Sequence, residues 1–437
     1  MKKLGFGLMR LPLLDKDDQS SIDIETVKRM VDNFMESGFT YFDTAYPYHR
    51  GYSEIAFREA VAKRYPRSAY TITDKLSLFM IQEENEIPGF FEGQLKRLGV
   101  DYMDYYWIHA MNRQTCRQAE KMHAFEFLER KKAEGKIRHI GFSFHDKAEF
   151  LDEVLTAHPE MEYVQLQLNY LDWEDPAIEA RRCYEVAVRH RKPVIVMEPV
   201  KGGSLIQIPE EARRLYKEAR PELSVASWAI RFAASPSHVM MVLSGMSDEK
   251  QVADNISYMK DFHPLSNEEQ TKVSQAVKII RASGGIPCTA CRYCTDTCPK
   301  KIAIPDYFAL YNNQKRFGET ATLGAIYYGN LAQTHGKASE CLKCGKCEKL
   351  CPQHLPIRKY LQEVAEMVLV YKCGQKKSNN LYYQIKEQRR CRAWQKTKNL
   401  ILRNSSSRSW ICTMPEEPRI RSWNVNMASI GVHSAAG

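Results

Sequence analysis

The chain has no apolar run of the roughly 18 residues needed to cross a bilayer. Its start, Met1-Lys2-Lys3 running directly into LGFGLMRLP, also lacks an apolar stretch ending in a small-residue cleavage site. These absences predict a cytoplasmic protein with no membrane partner. No GxGxxG turn follows the first β-rich run, which removes the main signature of an open dinucleotide-binding sheet. Disulfide grammar is missing as well: of 13 cysteines, Cys116, Cys183, Cys373, Cys391 and Cys412 show no pairing pattern. A net charge of +10 suggests polyanion binding until it is located. Residues 374–437 carry 12 Lys and Arg against 3 Glu, leaving 51 basic and 50 acidic residues in the rest. The body is therefore nearly neutral, and nucleic acid is not an expected partner. The tail, rich in Arg, Ser, Asn and Gln, reads as disordered.

What is present is a repeated cysteine grammar: Cys288-x₂-Cys291-x₂-Cys294-x₃-Cys298-Pro299, and again Cys341-x₂-Cys344-x₂-Cys347-x₃-Cys351-Pro352. This run holds two [4Fe–4S] clusters in bacterial ferredoxins, with the fourth thiolate of each run reaching the other cluster. Crossed ligation would group Cys288, Cys291 and Cys294 with Cys351, and Cys341, Cys344 and Cys347 with Cys298. Zinc ribbons pair CxxC units across longer gaps and do not need four close thiolates followed by Pro. The 42 residues between the runs are partly helical in pattern over 306–330, so a helical dicluster module is expected.

Upstream, β-rich runs alternate with amphipathic helical segments, the pattern of repeated βα units. Candidate strands fall at 3–7, 41–43, 70–74, 105–109, 139–142, 163–168, 194–197 and 240–243. Helical segments include ETVKRMVDNFMESG and PAIEARRCYEVAVRH. Eight units predict a closed (β/α)₈ TIM barrel, whose catalytic groups gather at the C-terminal ends of the strands. The expected layout is a barrel over 1–262, a linking helix over 263–282, the small dicluster module over 283–372 and a basic tail over 373–437. At the strand ends, YFDTAYPYHRGYSE, TITDK and YYWIH bring Asp43, Tyr48, Lys75 and His109 to the mouth.

That order, Asp-Thr-Ala, then Tyr five residues after the Asp, then Lys and His on the next two strands, resembles the aldo-keto reductase family. With the cysteine runs added, the chain resembles the branch that carries a C-terminal dicluster ferredoxin-type domain. The resemblance implies an oxidoreductase reducing a small-molecule carbonyl or related group with NAD(P)H. Tyr48 would be the acid, tuned by Lys75 and Asp43, while His109 orients the substrate oxygen. The chemistry asks for these types independently: a phenol with a pKa near 10 needs a neighbouring cation to exchange protons near neutrality.

The family's nicotinamide contacts map onto Ser143 and Gln165, and its adenosine-side segment onto Gly245, Ser247, Gln251 and Asn255. Four positions depart from the pattern. Phe144 replaces an Asn, Met197 replaces a stacking aromatic, and Gly245 and Gln251 stand where NADP-preferring relatives carry cations, which leaves NAD against NADP open. Lys250, next to Gln251, and Lys201, near the pyrophosphate, are candidate substitutes for those cations, but both read rather as solvated helix charges. Trp107 and Trp173 read equally as pocket lining and as core. Hydride carries two electrons and each cluster passes one, so either a ferredoxin or other electron donor feeds the clusters or the clusters only hold the small module against the barrel mouth; redox-active clusters are the expectation. The competing reading is an electron-transfer protein whose barrel is catalytically vestigial.

Overall fold

A computed structural model of the chain describes residues 2–317 and 324–374. The tail read as disordered, with Cys391 and Cys412, lies outside the described residues apart from its first two positions. Residues Met1–Tyr371 form one compact unit.

Short runs of β-branched and aromatic residues give eight strands: β1 (Leu4–Gly7), β2 (Tyr41–Asp43), β3 (Thr71–Leu76), β4 (Met103–Met111), β5 (Ile137–Phe144), β6 (Tyr163–Gln167), β7 (Val194–Met197) and β8 (Val239–Gly245). They are all parallel and pair in chain order, and β1 pairs β8 to close the barrel. Tyr41, Tyr105, Trp107, Ile195, Met241 and Leu243 fill its interior. Trp107 is therefore core. Gly141 is required there, because a Cβ would stand 2.3 Å from the Tyr163 carbonyl oxygen and 2.6 Å from the Trp107 ring.

The outer helices follow their apolar spacing. Helix Ile24–Glu36 starts where the Asp23 carboxylate accepts from Thr26 N–H, and it buries Val27, Met30, Val31 and Phe34 against the barrel. The segment PAIEARRCYEVAVRH begins its helix later than its pattern predicts, at Ala180. Asp175 Oδ1 takes the N–H groups of Ala177 and Ile178 at 2.8 and 3.2 Å, and Glu179 has a positive φ of 56°, so the backbone turns instead of winding. Helix Asn267–Ala282, capped by Ser266 and Glu269, lays Val273, Ala276 and Ile280 into the cluster of Tyr216 and Trp228.

Past residue 283 the expected helical module is present: Tyr293–Asp296, Ile304–Phe317, Gly324–Thr334, Lys346–Lys349 and Ile357–Gly374. Its core of Ile302, Tyr307, Phe308, Leu361 and Val364 is continuous with Ala177, Ile178 and Ala180, the loop and helix start after β6. The module is thus packed on the C-terminal end of the barrel strands.

Candidate active site and cysteine centres

Asp43 ends β2, Lys75 and His109 lie near the ends of β3 and β4, and Tyr48 stands in the turn Tyr48–Gly51 after β2. The parallel register therefore brings the four together. Lys75 is 1% exposed. Its Nζ donates to Asp43 Oδ1 at 2.6 Å and to the Thr44 carbonyl at 2.7 Å, and it lies 4.9 Å from the centre of the Tyr48 ring. The Tyr48 and His109 rings meet edge to face, 6.1 Å apart. His109 Nδ1 is 2.8 Å from Ser77 Oγ, and no described residue bonds its Nε2.

The electrostatics suit proton exchange at the phenol. Burial raises the Tyr48 hydroxyl above its ordinary value and the Lys75 ammonium draws it back. Burial opposes the charge on Lys75, yet Asp43 and Tyr48 lift its pKa above that of a free lysine, so the cation persists. Burial raises the Asp43 carboxyl, against the pull of Lys75. Burial, then Lys75 and His145, push His109 well below the usual imidazole range, so it is neutral at pH 7.

Ser143 and Gln165 join this group. Ser143 Oγ accepts from the N–H of Ala110 at 2.8 Å, fixing the left-handed residue (φ 56°) beside His109, and Gln165 Nε2 lies 3.5 Å from Asp43 Oδ2. Gly245, Ser247, Gln251 and Asn255 gather apart, where the end of β8 meets the loop after β1. Ser247 Oγ donates to the Arg10 carbonyl at 2.7 Å, Gln251 Oε1 accepts from Ser247 N–H at 2.9 Å, and Asn255 Nδ2 donates to Ser244 Oγ at 2.7 Å. A Cβ on Gly245 would stand 3.0 Å from Arg10 Cδ.

Several residues here have no sequence signature. Arg10 has a buried guanidinium nitrogen without a hydrogen-bond partner, 3.9 Å from Glu198 just after β7. His145, two residues beyond Ser143, has a buried Nδ1 without a partner, and its ring faces Tyr327 of helix Gly324–Thr334 at 6.3 Å. Tyr327 donates to Gln167 Oε1 at 3.3 Å, and Asn330 Nδ2 donates to the His145 carbonyl. One reading is corrected: Lys201 is not a solvated charge. It is buried, with Nζ 2.5 Å from Asp172 Oδ1, because the loop after β6 closes over it. Lys250 is exposed, as read. Trp173 is partly buried in core packing against Tyr184 and Phe232.

The eight cysteines form two groups. Cys288, Cys291, Cys294 and Cys351 line one cavity, and Cys298, Cys341, Cys344 and Cys347 line another. In each cavity three thiols of one run face the fourth of the other. Among the described residues no three His, Cys, Asp or Glu side chains close around a point as a single metal ion requires. Four thiols in each cavity are the donor set of an iron–sulfur cluster. Beside Cys291, Arg292 bonds the buried Asp306 at 2.9 and 3.1 Å, and Asp306 also accepts from Lys147 Nζ of the barrel at 2.6 Å.

Residues 3–278 match the model of the aldo/keto reductase family, more than half of the chain. The chain belongs to the aldo/keto reductase family. In this aldo/keto reductase, residues 287–355 also match the 4Fe–4S dicluster domain. A probable aldo-keto reductase of Glycine max is 27% identical over 187 residues, 40% of this chain and 49% of that protein, so the chain spans about half the length of the curated relative it matches. The aldo-keto reductase from Bacillus halodurans, in its holo form, is similar in fold with a TM-score of 0.51 and 23% identity, covering 63% of this chain and 91% of that one. Among the described residues no helix is long and apolar enough to cross a membrane.

Proposed function

We propose that the protein is an iron–sulfur oxidoreductase that reduces the carbonyl or a related group of a small molecule at the barrel mouth, with Tyr48 as the acid. The observation that carries this reading is the Lys75 ammonium, bonded to Asp43 and lying 4.9 Å from the Tyr48 ring centre. Reduction of a carbonyl leaves negative charge on its oxygen, and a phenol beside a fixed cation delivers a proton there. His109, held neutral and anchored through Nδ1, has Nε2 to direct at the same oxygen.

The two electrons would come either singly through two [4Fe–4S] clusters held in the crossed grouping or together as hydride from a nicotinamide. The thiol-lined cavities support the first. Ser143 and Gln165 beside the tetrad, and the Arg10 nitrogen next to Gly245 and Ser247, which has no hydrogen bond and only a 3.9 Å ion pair to Glu198, support an anionic nicotinamide cofactor. Arg10 stands as a basic group in the region where Gly245 and Gln251 have none. An electron-donor protein is part of the proposal, as is the division into a barrel over 1–262 and a dicluster module over 283–372.

The test is turnover of small aldehydes and ketones by the reconstituted protein, with NADH, NADPH or a reduced viologen as donor, and paramagnetic resonance of the clusters. Tyr48→Phe is expected to lower turnover by about 10²–10⁴, the usual contribution of a positioned acid, while the cluster signals stay unchanged. Undiminished turnover would remove the acid role and leave the barrel as a scaffold for electron transfer.

A further inference from the structure

The two cysteine groups face different surroundings. Arg292, beside Cys291 of the first group, is tied through buried Asp306 to Lys147, two residues from His145 in the barrel mouth. Around the second group Lys300, Lys301, Lys343, Lys346 and Lys349 are all exposed, and none makes an ion pair with a described residue. Lys300 and Lys346 line the cavity itself. Two acids lie among them: Glu348, bound by Arg358 at 2.7 Å, and exposed Glu340, whose carboxylate accepts from the Lys337 N–H at 3.1 Å. Leu342, which lines the cavity, is 60% exposed, and Cys344 is at the surface.

We propose that this lysine-rimmed surface, centred on Leu342, is the docking site of a small acidic one-electron carrier protein. Electrons would then enter at the Cys298/Cys341/Cys344/Cys347 group and leave toward the barrel from the Cys288/Cys291/Cys294/Cys351 group. The inference rests on the redox reading above and deepens it by naming the partner's chemistry and the entry side. A small apolar centre with a net basic rim suits a transient complex, in which charge steers the encounter and little area holds it. A buried or paired rim would not do this, and the first group has no such rim. Each encounter oxidises the carrier by one electron and reduces the enzyme by one. Two encounters, with the Tyr48 proton and one from solvent, balance the conversion of a carbonyl to an alcohol.

The test uses the anaerobic holoprotein and an acidic [2Fe–2S] ferredoxin as probe. Binding is read by calorimetry with both proteins oxidised, and electron transfer by stopped flow after the ferredoxin is reduced. Affinity and rate are both expected to fall steeply as salt rises. Lys301→Glu with Lys343→Glu should weaken binding tenfold or more, with iron content and dithionite reduction unchanged. Lys300→Gln with Lys349→Gln should shift it less, in the same direction. Binding that ignores salt and both variant pairs would overturn the docking site while leaving the redox reading intact. Clusters that dithionite cannot reduce would instead overturn the redox reading. Salt-dependent binding of a DNA oligonucleotide, but not of ferredoxin, would show a general polyanion surface and also overturn the docking site.

Discussion

His145 is 6% exposed, its Nδ1 has no partner, and burial followed by the nearby Lys75 cation holds its pKa down at about 4. An unfolded histidine takes its proton near 6.5. Between those values the unfolded chain binds the proton and the folded chain does not, so stability is fully present above 6.5 and is lost as pH falls toward 4. For this one group the loss amounts to roughly 3 kcal/mol. His145→Leu should therefore flatten the denaturant midpoint against pH between 4.5 and 7 relative to the parent, and identical slopes would count against a buried neutral imidazole. Asp43, Tyr48, Lys75 and His109 were legible because strand ends have fixed places in a barrel. His145, Arg10 and Glu198 were not, since a loop residue gains meaning only from what folds over it. Asn330, which donates to the His145 carbonyl, is 185 residues away, and no local pattern carries that information.

Helices and strands were read to within a few residues where period decided them, as for β2 and β7, whose bounds match. The loop after β6 escaped because its geometry is set by side-chain bonds to backbone from Asp175, and by Asp172 bonding Lys201. That loop matters because helix Ile304–Phe317 is fastened beside it. Asn313 Nδ2 reaches Asp175 Oδ2 at 3.3 Å, and Asp306, 1% exposed, joins Lys147 of the barrel to Arg292 of the first cysteine run. Asp306→Asn leaves two cations facing each other across one neutral amide. Loss of one member of a fully buried pair costs roughly 3–5 kcal/mol, and about 2–3 kcal/mol is expected here because Arg292 and Lys147 keep access to water. Chemical denaturation measures it, and a change below about 0.5 kcal/mol, the scale of an ordinary surface substitution, would mean that the ion pairs do not fasten the helix.

At the scale of the whole molecule, the cysteine grouping determines whether the two runs stand or fall together. If each run held its own centre, the 42-residue insertion between them would separate two independent sites, and damage to one would leave the other whole. The cavities put Cys351 with Cys288, Cys291 and Cys294, and Cys298 with Cys341, Cys344 and Cys347. Iron binding would then pin the ends of the insertion, including helix Gly324–Thr334 over His145, to one another. Two double variants separate the cases. Under crossed ligation, Cys294→Ala with Cys351→Ala strikes one centre, and about half of the iron should remain. Cys344→Ala with Cys351→Ala strikes both centres, and nearly all of the iron should be lost. Uncrossed runs predict the reverse order, with the second pair keeping half, so iron content and resonance amplitude of the two proteins, reconstituted side by side, decide which wiring the fold uses.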